Sequence, residues 1–150
     1  MIATKIKLHS LCQAYIEQRI DAAQKAIAIA QESANEETKS SAGDKYETGR
    51  AMAQLEIEKN STQLAEAQKL KVALSQIKPD QTSYAVQAGS LVITNQGNFY
   101  ISISAGQFTV DNVSYFSISP ASPIGSKLMG LKEGAQFSFN TKTYLIRNVC

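Results

Sequence analysis

Within the stretch KSSAGDKYETGRAM, residues 39–52, two acids stand three positions apart, Asp44 and Glu47, interleaved with Lys39, Lys45 and Arg50. Residues three apart on a helix share a face, so the two carboxylates can act on one object. Two chemistries fit. In the first, Asp44 is an N-cap residue and Glu47 takes the reciprocal place of a capping box, a contribution of about 1 kcal/mol. In the second, the pair forms part of a Mg²⁺ shell, because Mg²⁺ takes one or two protein carboxylates and completes its octahedron with waters and phosphate oxygens. A site of that kind is incomplete alone. It requires another macromolecule to hold a first metal and a phosphodiester, so that the second metal activates the attacking water.

The remaining inventory is thin. The only histidine, His9, lies three residues from Cys12, and no third ligand accompanies them, so the expectation is a surface histidine beside a seam cysteine rather than a zinc site. The other cysteine is Cys150. Two such cysteines make no disulfide framework, and the expected compartment is the reducing cytoplasm. Nothing resembles a nucleophile with its base, so the chain is not expected to be an autonomous enzyme. The net charge of +2 is too small for wholesale phosphate neutralisation. No run approaches the roughly 18 apolar residues of a membrane span, and MIATKIKLHSLCQAY lacks the pattern of a cleaved signal, so neither export nor a membrane partner is expected.

The acids need elements to position them. No Pro or Gly occurs from Lys5 to Asn35, where Ile16, Ile20, Ala23, Ile27, Ala30 and Ala34 recur at spacings of three and four. That is a heptad seam. From about Asp44 to Ile77 a second seam runs through Ala53, Ile57, Leu64, Ala67 and Leu74, with polar Asn60 and Lys71 at intervening positions, until Pro79 ends it. Two narrow stripes joined by the short 36–43 connection predict an antiparallel helical hairpin, although heptads by themselves also allow pairing between chains. Arms of about 30 residues would place the turn, and with it the acids, roughly 45 Å from the base.

After Pro79 the period shortens and the charges thin out, since 11 of the 15 basic and 10 of the 13 acidic residues precede it. GSLVIT and NFYISIS around Asn95-Gln96-Gly97 predict a β-hairpin; FTVDNVSYFSIS continues with further short strands, with a compact connection through Gly106 to Asp111, and AQFSFNTKTYLIRNV closes with a hairpin at Asn140-Thr141-Lys142. In SPIGSKLMG, Ser122 suits the N-cap, Pro123 the first helical position and Gly130 the left-handed end, so one short helix should cross a sheet face. The fold class is α+β: residues 1–78 as the hairpin and 79–150 as a β-rich domain.

Gly43-Asp44-Lys45-Tyr46-Glu47 resembles the tip motif of the Gre transcript-cleavage factors, and Ser122-Pro123-Ile124-Gly125 with Glu133-Gly134 further on is similar to that family's Ser-Pro helix and following glycine. The resemblance implies an antiparallel coiled coil followed by an FKBP-like domain, with the coiled coil entering the secondary channel of RNA polymerase and the sheet domain docking at its rim. It further implies that Asp44 and Glu47 help hold a Mg²⁺ shared with the polymerase. Ser122, Pro123 and Ile124 would lie at the docking contact, and Lys45 and Arg50 near the RNA end, the factor acting as a monomer that meets RNA only in the elongation complex. The chain departs from the family after Glu47, where Thr48-Gly49-Arg50-Ala51 replaces an acid by a base, and before the Ser-Pro, where Ala121 replaces Asn or Asp. Two further readings stand beside a cleavage factor: a non-cleaving regulator of the same channel, and a coiled-coil adaptor outside transcription.

Overall fold

The computed structural model describes residues 1–39 and 43–150, and their side chains except those of 37–39 and 43–46. Nine elements follow in order: helices α1 (Ile2–Lys39) and α2 (Gly43–Ser75), strands β1 (Leu91–Thr94), β2 (Asn98–Ile101), β3 (Gly106–Val110) and β4 (Val113–Ile118), helix α3 (Pro123–Leu128), and strands β5 (Gln136–Phe139) and β6 (Lys142–Val149). The expected α+β class is thus observed. By compactness the chain divides into Ile16–Lys71 and a second unit of Met1–Tyr15 with Val72–Cys150. The first 15 residues, read from sequence as part of the hairpin, therefore group with the sheet.

In the Ile16–Lys71 unit the two helices run antiparallel. Glu17 pairs with Lys71 at 3.0 Å, and Arg19 reaches Glu66 at 3.8 Å and donates to Gln63 at 3.2 Å, so position rises along α1 as it falls along α2. The seam is the one the spacing predicts: Ile16, Ala23, Ala30, Ala53 and Ala67 are buried, with Ile20, Ile27, Ala34, Ile57 and Leu64 half-buried between them. Both polar seam positions are accommodated at the surface. Asn60 donates to the Glu56 carbonyl, and Lys71 turns outward to Glu17.

The other unit is built on a six-stranded sheet of order β3-β4-β2-β1-β6-β5, antiparallel except between β2 and β4. The turn after β3 has Asp111 and Asn112 at φ 51° and 65°, and the one after β5 has Asn140 and Thr141 at 49° and 66°. Two consecutive left-handed residues make the type I′ turn, whose twist matches that of its strands. Gly106 to Val110 is strand β3: Phe108 to Val110 are extended, as the FTVDNVSYFSIS pattern predicts, and the strand takes in Gly106 and Gln107 as well, in place of a compact connection through Gly106 to Asp111.

Alternation divides the sheet's side chains into two sets. Val92, Phe99, Ile101, Tyr144 and Ile146 form an apolar core with Val86, capped by Leu128 and Ile124 of α3. Leu91, Tyr100, Ser102 and Ser117 belong to the other set, and against them lie Leu8, His9 and Cys12 of α1. Ile101 is fully buried in the first set. Replacing it by alanine should cost about 2–5 kcal/mol of stability, read as a lower urea midpoint with unchanged slope.

Candidate functional site

The acidic end of the hairpin comes first. α1 ends at Lys39 and α2 begins at Gly43. Asp44 is therefore inside the first turn of α2, not in the preceding cap position, and there an acid still complements the positive end of the helix dipole. The side chains of Asp44, Lys45, Lys39 and Glu37 lie outside the described residues. Glu47 and Arg50 are exposed on α2, three residues apart, and Glu32 and Glu36 are exposed on α1. Exposed carboxylates retain their water, so they present hard oxygen donors to an incoming group rather than a closed cage. Among the described residues no three His, Cys, Asp or Glu side chains converge.

Closer to the middle of the hairpin lies an apolar groove of about 600 Å³ between the helices. Its floor is small, with Ala26 and Ala30 of α1 and Gly49 and Ala53 of α2, and its rim carries Ile29, Met52 and Leu55, each more than 60% exposed. Among the described residues these three are the exposed large apolar side chains of the Ile16–Lys71 unit, and all line one groove. Concentration of this kind marks an interaction surface more than scattered exposure does.

Ser122, Pro123 and Ile124 come together at the start of α3. The Ser122 side chain accepts from the Gly125 amide at 3.1 Å and donates to the Ser119 carbonyl at 2.7 Å, while Pro123 opens the helix. Ile124 is half-buried against the apolar core, so it is chiefly a packing residue; Pro123 is exposed. At the far end Gly130, at φ 82°, donates to the Val86 carbonyl, as the left-handed position predicts. Gly125 has its own reason. A β-carbon there would stand 2.1 Å from the Ser119 carbonyl oxygen and 2.6 Å from Ser122 Oγ.

Against the second set of sheet side chains, α1 buries Lys5, His9 and Cys12, which corrects the expectation of a surface histidine beside a seam cysteine. The stripe of Lys5, Leu8, His9, Cys12 and Ile16 continues the three-and-four spacing back toward the start of α1. That was the available signal, hidden because two of its members are polar. Lys5 Nζ donates to the carbonyls of Gln81 and Cys150. Burial lowers its pKa, opposed by the nearby charges of Cys150 and Asp80. His9 Nδ1 meets the Tyr100 hydroxyl at 2.9 Å; burial pushes the histidine down and the phenol up, so both are neutral partners.

Cys12 Sγ lies 3.2 Å from Ser117 Oγ, which also contacts Ser102 Oγ at 3.0 Å and donates to the Ile103 carbonyl at 2.6 Å. Ser117 has one hydroxyl proton, committed to that carbonyl, so it accepts from both the Cys12 thiol and Ser102. Burial raises the Cys12 pKa, opposed in smaller part by its contacts with Ser117 and Ser102. The thiol is held as a donor and not as a nucleophile. His9 and Cys12, close in sequence, thus serve different partners and form no catalytic pair.

None of the protein-family models, curated proteins and solved structures compared with the chain matches it. No helix among the described residues is long and apolar enough to cross a membrane.

The α3 geometry yields an ordered pair of outcomes. Ser122→Ala should cost about 1 kcal/mol through the lost cap, whereas Gly125→Ala, which must displace backbone, should cost at least about 2 kcal/mol. Urea titration of the two variants beside the parent measures both.

Proposed function

We propose that this chain is a Gre-like factor that binds RNA polymerase through its secondary channel and modulates elongation, with Asp44 and Glu47 assisting cleavage of backtracked RNA. The observation that carries this reading is positional: Gly43-Asp44-Lys45-Tyr46-Glu47 opens the second helix of an antiparallel pair, and a Ser-Pro-initiated helix packs on a separate small sheet, in the order the resemblance requires. Glu47 is exposed, as a residue acting on another molecule's substrate must be.

On this reading the chain is not a nuclease. The donor set fits Mg²⁺ in kind: two carboxylates, with waters and phosphate oxygens to complete the shell. A second Mg²⁺, shared with the polymerase, would lower the pKa of the attacking water. Asp44 and Glu47 would supply oxygen ligands and orient that water toward the phosphodiester. Arg50, one turn beyond Glu47, and Lys45 would neutralise phosphate charge at the RNA end. Ser122, Pro123 and Ile124 would contribute to the rim contact, Pro123 through its exposed ring and Ile124 by fixing the helix. The reducing cytoplasm would be the place of action.

A second reading keeps the channel and drops the cleavage. It is favoured by Arg50, a base where the family carries an acid, and by the apolar groove, which suits a hairpin whose shaft grips protein. An adaptor outside transcription would use the same groove.

Stalled, backtracked elongation complexes with Mg²⁺ separate the readings. The parent should accelerate release of short 3′ RNA fragments by at least about tenfold, and the Asp44→Ala, Glu47→Ala double variant should bind the polymerase equally but lose that acceleration. Binding without acceleration by either protein would select the non-cleaving regulator, and absence of binding would sink the assignment to transcription.

A further inference from the structure

We propose that residues 1–15 are held on the sheet by an acid-weakened attachment, the buried contact of His9 with Tyr100, so that in mild acid these turns of α1 open more often and uncover Cys12. The inference concerns the unit of Met1–Tyr15 with Val72–Cys150 and does not depend on the function proposed above.

The two sets of sheet side chains are unlike in kind. The α3 set is held by Val86, Val92, Phe99, Ile101, Leu128, Tyr144 and Ile146, with no histidine, lysine, acid or cysteine among them. The α1 set mixes apolar Leu8 and Leu91 with polar side chains, among them Lys5, His9 and Cys12 on the helix and Tyr100, Ser102 and Ser117 on the strands. Acid acts on the second set alone. His9 is only 7% exposed and Tyr100 fully buried, so an imidazolium formed here has little water to solvate it.

The groups facing His9 offer no compensation. From α1 they are Lys5, already a cation one turn away, and Cys12, a neutral donor. From β2 the partner is Tyr100, a neutral phenol. Asp80 acts on Lys5, and Asp111 pairs with Lys7 at the surface at 3.4 Å; neither bonds to His9, and its pKa is lowered by burial alone. A second positive charge on this stripe therefore opposes docking. The sign follows from linkage: the released histidine, with its ordinary pKa near 6.5, binds more protons than the docked one, so the free energy favouring the docked state is whole above that value and declines as the pH falls toward the docked pKa. At pH 5.0 this linkage can raise the released fraction by at most about thirtyfold over that at neutral pH.

Cys12 reports the release, because it lies under the same turns, and the opposite, acid-indifferent core keeps the sheet intact meanwhile. The full chain would be treated with 4,4′-dithiodipyridine, which reacts with thiols in mild acid, at pH 7.5 and pH 5.0, with peptide mapping to separate Cys12 from Cys150 and free cysteine to correct the intrinsic rate. We expect the corrected Cys12 rate to rise about five- to thirtyfold at pH 5.0 with far-ultraviolet circular dichroism unchanged. In His9→Gln, which retains a hydrogen-bonding partner for Tyr100, the rise should shrink to less than twofold. An equal rise in His9→Gln, a change below twofold in the parent, or loss of the whole fold at pH 5.0 would each overturn the proposal.

Discussion

The structure depends on one stripe along α1. From Lys5 to Ala34 buried and half-buried positions recur every three or four, but what the stripe packs against changes near Ile16. Before that point it meets strand side chains and after it the seam of α2. A narrow stripe on a single helix buries too little to be stable alone, so each length of α1 needs its partner. A proline or glycine within it would uncouple both units at once; none occurs between Ile2 and Lys39.

The change of partner explains the change of residue type. Alanine and isoleucine suit a helix lying against another helix, because small side chains permit close approach of the two backbones. Lysine, histidine and cysteine meet instead the Tyr100 hydroxyl and two serines of the sheet and, for Lys5, the carbonyls of Gln81 and Cys150. Buried polar groups need partners, and each of these has one. The side chains α3 covers carry no such demand and are packed with aliphatic and aromatic groups. One six-residue helix suffices there because Ser122 satisfies its start, Gly125 permits close approach to the Ser119 carbonyl, and Gly130 turns the chain back to Val86.

For function, the end of the hairpin unit and the groove along its middle differ in kind. The end carrying Glu47 and Arg50 is polar and exposed, suited to acting on charged groups of another molecule, whereas the groove between Ile29, Met52 and Leu55 is suited to apolar contact. A polar end and an apolar side would both be used by the factor proposed above, which inserts into a larger assembly.

The sequence by itself determined the helical pair, its seam, the two hairpin turns and the start and stop of α3, because each rests on local rules: period, turn chemistry, capping. It also offered Asp44 and Glu47 as candidates, by residue type and spacing together with the resemblance they carry. Only the tertiary structure decided that α1 begins as part of the sheet unit, and that His9 and Cys12 are buried and separately engaged. These rest on partners far along the chain, His9 and Tyr100 being 91 residues apart, and no local pattern announces which distant side chain will complete a buried hydrogen bond.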